Sequence, residues 1–464
     1  MRQRGFSLLV SGVAALMIVS LRMGDASLAS NPFSQSPAAK VNAGEQIRLS
    51  AKLIAKLPDY EGQSIAKARP VLLAFSPDMR LLAYSGENRT VKLCDAKTGG
   101  LKATLIGDEG GISGFAFSPD GHTAATRDVS DRTVRLWDIE TGKLKATFAG
   151  RKRNIETKLK ALNLPFTDFP LVTFSPDGQS VLTEREDDVV GVWDVATGKQ
   201  RALLEHDTHS SAVKDVLKQV LSLSVNFPLA LQTSYSPDGR TIVTANGDNA
   251  PKIWDAATGQ LKAALSRPGS KVYKAVFSPD GQVLATSGIN GVTELWDVTT
   301  GKPKAQLGEG KHKLYGLRFS PNGRIAATSV NSDTRLWDVA TGKLIAMLPK
   351  SESEEVFFSP DGRFLATEGE NNRYTAKLWE VATGQLKTTL AKSPGKIHST
   401  TFSPDTRIIV TTSDKGVKLW DATNGELLET LNESRFPVRF SADGHTLATG
   451  GREGTAMLWE IRAK

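Results

Sequence analysis

Phe117-Ser118-Pro119-Asp120-Gly121, followed by Trp137-Asp138 and then by Thr141-Gly142, is the stretch from which the fold can be read. Proline pre-sets φ for the second position of a turn, and Asp and Gly tolerate its tight exit. Ahead of the turn, Gly114-Phe115-Ala116-Phe117 reads as a mostly buried strand. After it a second strand starts, as Val283-Leu284-Ala285-Thr286 does in a later copy. Thr133-Val134-Arg135-Leu136-Trp137 then alternates polar and apolar, the period of two that marks a strand with one face buried. Leu144-Lys145-Ala146-Thr147-Phe148 alternates again beyond the Thr-Gly turn. The stretch is therefore four short strands joined by tight turns.

The same punctuation recurs along the chain. An aromatic followed by Ser-Pro-Asp-Gly or a near variant stands at Phe75, Phe117, Phe174, Tyr235, Phe277, Phe319, Phe358, Phe402 and Phe440. A Trp followed by an acidic residue stands at Trp137, Trp193, Trp254, Trp296, Trp337, Trp379, Trp420 and Trp459, with Cys94-Asp95 as the ninth member. Each aromatic precedes its Trp or Cys by 18 to 21 residues. Nine copies in register, about 42 residues apart, describe the blades of a propeller. These nine residues are structural: a residue present in nine copies is a packing position rather than a catalytic one.

On these markers the chain resembles the WD-repeat family, as an exported, bacterial-type member, and the resemblance implies a β-propeller that binds other proteins. It extends from about residue 46 to the C-terminus. Two features depart from the family pattern. Met79 and Thr406 replace the turn glycine, so a left-handed turn there is strained. The family's Gly-His pair is nearly absent, with His206 its best match and Asp108, Arg151 or Pro268 standing elsewhere, which puts the family's His–Asp–Ser/Thr–Trp network in doubt.

The last unit stops after its third strand, at Trp459-Glu460-Ile461. Leu53-Ile54-Ala55-Lys56-Leu57 matches Leu101-Lys102-Ala103-Thr104-Leu105 and can supply the missing fourth strand. The expected fold is all-β: a single propeller of four-stranded antiparallel blades, nine in number with eight as the alternative, closed by an N-terminal strand. Nine is above the usual range of 4–8 blades.

The repeat is stretched twice. From each Trp or Cys to the next aromatic the counts are 23, 37, 42, 23, 23, 21, 23 and 20, so the long connections flank the unit of Trp193. Both are read as helical insertions, at about 151–170 and 205–230. Asn154 caps the first, with Ile155, Leu159 and Leu162 on one face, and Val213, Val216 and Leu217 fall at helical spacing in the second. Loops held on a rigid scaffold are where recognition usually resides. Arg151, Lys152, Arg153 and Lys158, with Val213, Val216 and Leu217, are the candidate partner-binding residues. The alternative is that the two helices pack on each other and cap the ring.

The N-terminus has a different character. Arg2 and Arg4 precede an apolar run from Phe6 to Leu21, and Ser27-Leu28-Ala29 gives small residues at a signal-peptidase spacing. Residues 1–29 read as a signal peptide, 30–45 as a flexible linker, and the chain as periplasmic or secreted after cleavage. The run falls short of the roughly 20 apolar residues that span a bilayer. The single cysteine excludes an intramolecular disulfide and any cysteine-based metal or redox pair.

The net charge of +8 comes from 58 Lys and Arg against 50 Asp and Glu, mixed along the chain. A modest mixed excess favours solubility and weak attraction to anionic surfaces, and does not indicate specific nucleic-acid binding. Lys102, Lys145, Lys262, Lys304 and Lys387 lie in outer strands, either as a basic rim or as charges that blunt an exposed edge; the second reading is favoured. His206 and His209 have metal-ligand spacing but lack a cysteine partner, so no metal or cofactor is expected. No nucleophile elbow, phosphate loop or His-Glu-x-x-His is present. The functional expectation is a non-catalytic, monomeric protein-interaction scaffold for proteins or peptides, acidic ones among them. The alternative is a hydrolase or cofactor enzyme using the central funnel.

Overall fold

Turn chemistry and alternation dictate the unit that the computed structural model repeats nine times. The structure describes residues 49–57, 73–85, 90–107, 112–128, 133–148, 172–184, 189–205, 232–245, 250–265, 272–288, 291–308, 310, 314–330, 333–349, 356–368, 375–390, 395–413, 415–451 and 455–463. They form nine four-stranded antiparallel sheets and no helix. Numbered along the chain, blades 1 to 8 occupy 73–106, 112–148, 172–205, 232–264, 272–307, 314–348, 356–390 and 397–431. Blade 9 joins Arg435–Phe440, Thr446–Gly450 and Ala456–Ala463 to the N-terminal strand Leu49–Leu57.

Each blade buries its two faces against its neighbours. Nine apolar clusters result, one per junction. Val283, Ala285, Leu295 and Leu307 of blade 5, for example, meet Leu317, Ala326 and Trp337 of blade 6. Leu57, Ala448, Ala456 and Leu458 of blade 9 meet Leu82, Tyr84 and Cys94 of blade 1 and close the ring. The second strands of blades 2, 5 and 8 are wholly buried. The first strands border the central channel and are less completely buried, as Phe115, Ala116 and Phe117 of blade 2 are half-buried.

The closing strand is longer than the match to residues 53–57 implies. It runs antiparallel to the final strand from Leu49 opposite Ala463 to Leu57 opposite Ala456. It reproduces a contact made at other junctions. The Thr-Gly turn of one blade presses on the small third residue of the preceding outer strand, so that a Cβ on Gly259 would lie 2.3 Å from Ala202 Cβ. Gly99 makes the same approach to Ala55 of the closing strand, at 2.4 Å. The left-handed φ of these glycines and the missing side chain are both used.

Met79 and Thr406 are, among the described residues, the non-glycine residues with left-handed φ, 60° and 66°. Met79 belongs to a compensated pair. Turn glycines elsewhere face the turn proline of the preceding blade, as Gly121 faces Pro77 and Gly239 faces Pro176. At the junction of blades 9 and 1 the proline is Ala442 and the glycine is Met79. The backbone N–H that alanine restores donates to Met79 Sδ at 3.2 Å.

Candidate functional site

Antiparallel strands place the turn between strands one and two and the turn between strands three and four on one face of the ring. The other two connections lie on the opposite face. Hydrogen bonds saturate the turn face. In all nine first turns a serine hydroxyl donates to the Asp or Asn two residues on, as Ser118 does to Asp120 and Ser320 to Asn322. In the second turns the carboxylate takes the threonine hydroxyl and backbone, as Asp138 takes those of Thr141. Backbone and hydroxyl bonds from Thr197, with Arg201 beside it, hold Asp194 at about 2; Thr258 and Lys262 do the same for Asp255. These two carboxylates are thus held ionised and committed to their turns.

The repeated tryptophans are equally committed. All eight indole Nε1–H groups donate to a threonine Oγ1 in the second strand of the same blade, at 2.7 to 3.1 Å. The threonine half of the family's network is thus present in eight blades. Blade 1 exchanges the two sizes: Cys94 replaces Trp and Tyr84 replaces Thr. The Cys94 thiol lies 3.9 Å from Tyr84 Oη as donor, and burial pushes its pKa up.

The opposite, loop face is built differently. Its edge is set by the starts of the first strands, and five of these carry a register shift at the same place, at Ser113, Tyr273, Tyr315, His398 and Phe436-Pro437. Such bulges interrupt pairing and re-aim the chain, and they favour functional rims. The charged residues on the nine first strands are Lys274, Arg318, Arg435 and Arg439, and none is acidic. Arg318 lies over the Phe357 ring of the next blade, 5.1 Å from its centroid. Arg435 donates to the carbonyls of Asn432 and Ser434, and Arg439 to that of Val438. Their guanidinium groups are therefore positioned rather than free to sweep. This set escapes sequence reading, because membership depends on which strand borders the channel; aligning the residues just before each Ser-Pro-Asp-Gly turn would have found it.

Arg151, Lys152, Arg153, Lys158, Val213, Val216 and Leu217 lie outside the described residues, as do His206, His209 and residues 1–29. The strand ends that bracket the two long connections are described: Phe148 and Val172, then Glu205 and Gln232. All four are at the loop face, on either side of blade 3. The nine repeat residues sit on the third strands, as read. Three of the five outer-strand lysines turn back onto their own blades: Lys145 Nζ donates to Thr123 Oγ1, Lys262 pairs with Asp255 at 3.1 Å, and Lys387 lies over Phe364. Among the described residues no group of three or more His, Cys, Asp or Glu is placed to hold a metal ion, and no helix is long and apolar enough to cross a membrane.

With this geometry in place, comparison with known proteins gives a consistent result. The family model described as WD domain, G-beta repeat matches residues 99–138, 259–297, 384–421 and 438–460, so four WD40 repeats are detected. Transducin beta-like protein 3 of Bos taurus and of Rattus norvegicus are each 32% identical over 77 residues, which is 15% of this chain and 10% of theirs. The chain thus spans about a tenth of these curated relatives. Among solved structures, the C-terminal WD40 domain of Sif2 aligns with a TM-score of 0.54 at 14% identity, over 89% of this chain and 99% of that one. The computationally designed Ika8 protein aligns with a TM-score of 0.52 at 22% identity, over 77% and 99%. At these identities the likeness is one of fold.

Proposed function

We propose that the protein is a non-catalytic interaction scaffold that acts outside the cytoplasm and captures protein or peptide segments, acidic ones by preference, at its loop face. The observation that carries this reading is the convergence of features on that face. Both long connections leave from it beside blade 3, the five first-strand bulges form its inner edge, and Arg435 and Lys274 stand in the loop-face halves of channel strands that carry no acidic residue. WD40 propellers are generally scaffolds of this kind. Positioned cations steer an acidic partner and set its register more than they add affinity. Duplex nucleic acid calls for a contiguous basic stripe, and four cations spread over blades 5, 6 and 9 do not make one.

The experiment replaces residues 151–165 by a short Gly-Ser linker. The full chain and the variant are offered concentrated exported proteins, and captured material is identified by mass spectrometry. Loss of capture with an unchanged melting curve is expected. Unchanged capture would move the site elsewhere. Export itself is read from the N-terminus of the protein outside the cytoplasm, expected near Ser30; an intact Met1 on membrane-bound protein refutes it.

A further inference from the structure

Eight of the nine outer strands carry a charged residue. Leu344–Leu348 of blade 6, Leu-Ile-Ala-Met-Leu, has none. Ile345 stands where Lys102, Lys145, Arg201, Lys262, Lys304 and Lys387 stand in six other blades. Met347 stands where Thr104, Thr147 and Thr389 stand in three of them. Ala346 and Leu348 turn inward, onto Val356, Leu365 and Trp379 of blade 7. Leu344, Ile345 and Met347 wrap the outer edge, exposed by 50%, 43% and 53%. Among the described residues no other outer strand exposes three large apolar side chains.

Propellers blunt their rims with lysine because an outer strand is an unpaired edge. Blade 6 omits that protection and adds apolar surface, and a contiguous exposed apolar patch marks an interaction site. We infer that this rim is where two copies of the chain meet, in a two-fold contact through blade 6. Charge selects the occupant. Two molecules of like positive net charge that approach rim to rim oppose cations on the outer strands of six other blades, and on the outer strand of blade 6 they do not. A two-fold axis near Ala346 brings Ile345 of each copy against Met347 of the other, so one patch serves as both halves of the interface. The register shift at Ile345 interrupts a continuous ladder, and the contact is therefore made by side chains. So short a rim buries less than the roughly 1,200 Å² of a standard interface, which makes the contact a weak, transient one. Monomer, the expectation from sequence, then describes the dilute protein.

Sedimentation velocity of the full chain, from about 1 to 200 µM in 0.15 M salt, reads the association directly. Ile345→Lys restores the lysine of the other blades, and Met347→Thr restores their threonine; each is a residue this strand position already accepts in the same ring. Either variant should weaken association at least tenfold with the melting temperature unchanged. A wild-type chain that stays monomeric throughout overturns the inference, including the case in which the patch captures some other protein. Dimers that both variants form as tightly as wild type overturn it as well.

Discussion

Removing the closing strand tests the ring as a whole. Leu57 is 2% exposed and packs with Leu82, Tyr84, Cys94 and Leu458 across the junction of blades 9 and 1. Leu57→Ala removes three buried carbons, Cγ and its two methyls, and leaves a cavity, a loss of about 3 kcal/mol. Deleting residues 46–60 also takes Ile54 and Ala55 from this cluster, and Leu49 and Ala51 from the cluster between blades 8 and 9. With about 1.5 kcal/mol for each half-buried Ile or Leu, the deletion costs about 6 kcal/mol in all. Unfolding entropy for a chain of this length is about 0.9 kcal/mol per kelvin. Leu57→Ala should therefore lower the melting temperature by about 3 °C and the deletion by about 7 °C. The deletion should also promote aggregation, because it uncovers the edge of the final strand. Differential scanning calorimetry, with light scattering followed on the same samples, measures both. A deletion variant that melts within about a degree of wild type would refute ring closure by this strand.

Cys94→Trp should destabilise by about 1–3 kcal/mol through overpacking against Tyr84, and Tyr84→Thr in the same chain should recover most of it, measured as a double-mutant cycle in urea. Trp420→Phe should cost about 1–2 kcal/mol in the same assay, since it leaves the buried Thr411 hydroxyl without its donor. Asp255, held at about 2 against an unfolded value near 3.9, contributes stability above about pH 4 that is lost as pH falls towards 2. Asp255→Asn should accordingly melt lower than wild type at pH 7, and the gap should close by pH 2; a gap independent of pH would exclude ionisation as its source. Ala442→Pro removes the N–H that Met79 accepts and should destabilise, while Ala442→Pro with Met79→Gly restores the pairing of the other junctions and should melt near wild type.

Legibility in the sequence follows the range of the interaction. Ser-Pro-Asp-Gly and Thr-Gly turns are decided within five residues, so the four-stranded unit and its nine copies could be read directly, while the choice between nine and eight blades in the ring needed the structure. Closure was readable because Leu53–Leu57 repeats a pattern, but Leu49 to Lys52 carry no such mark and their pairing with Glu460–Ala463 needed the structure. The Met79–Ala442 pair spans 363 residues, and nothing local announces that two departures from the repeat answer each other. Channel cations and the bare rim of blade 6 were hidden for another reason. Arg318 and Ile345 are ordinary residues in ordinary strands, and their meaning comes from which edge of the sheet those strands occupy.

The pairing of Leu57 with Ala456 has a consequence in time. About 400 residues separate the two ends of that pair. The strand made first therefore has no partner until the strand made last appears, and every blade between them must form without the finished ring. Closure of such distant contacts is slow, because the loop entropy is lost before any contact rewards it. Until then blade 9 has three strands, blade 1 lacks a neighbour on one side, and both present bare edges. Folding of this chain should thus end in a single late step whose absence leaves a nearly complete but open and adhesive molecule. A truncation near residue 455 and a truncation near residue 60 should fail in the same way, though about 400 residues lie between them.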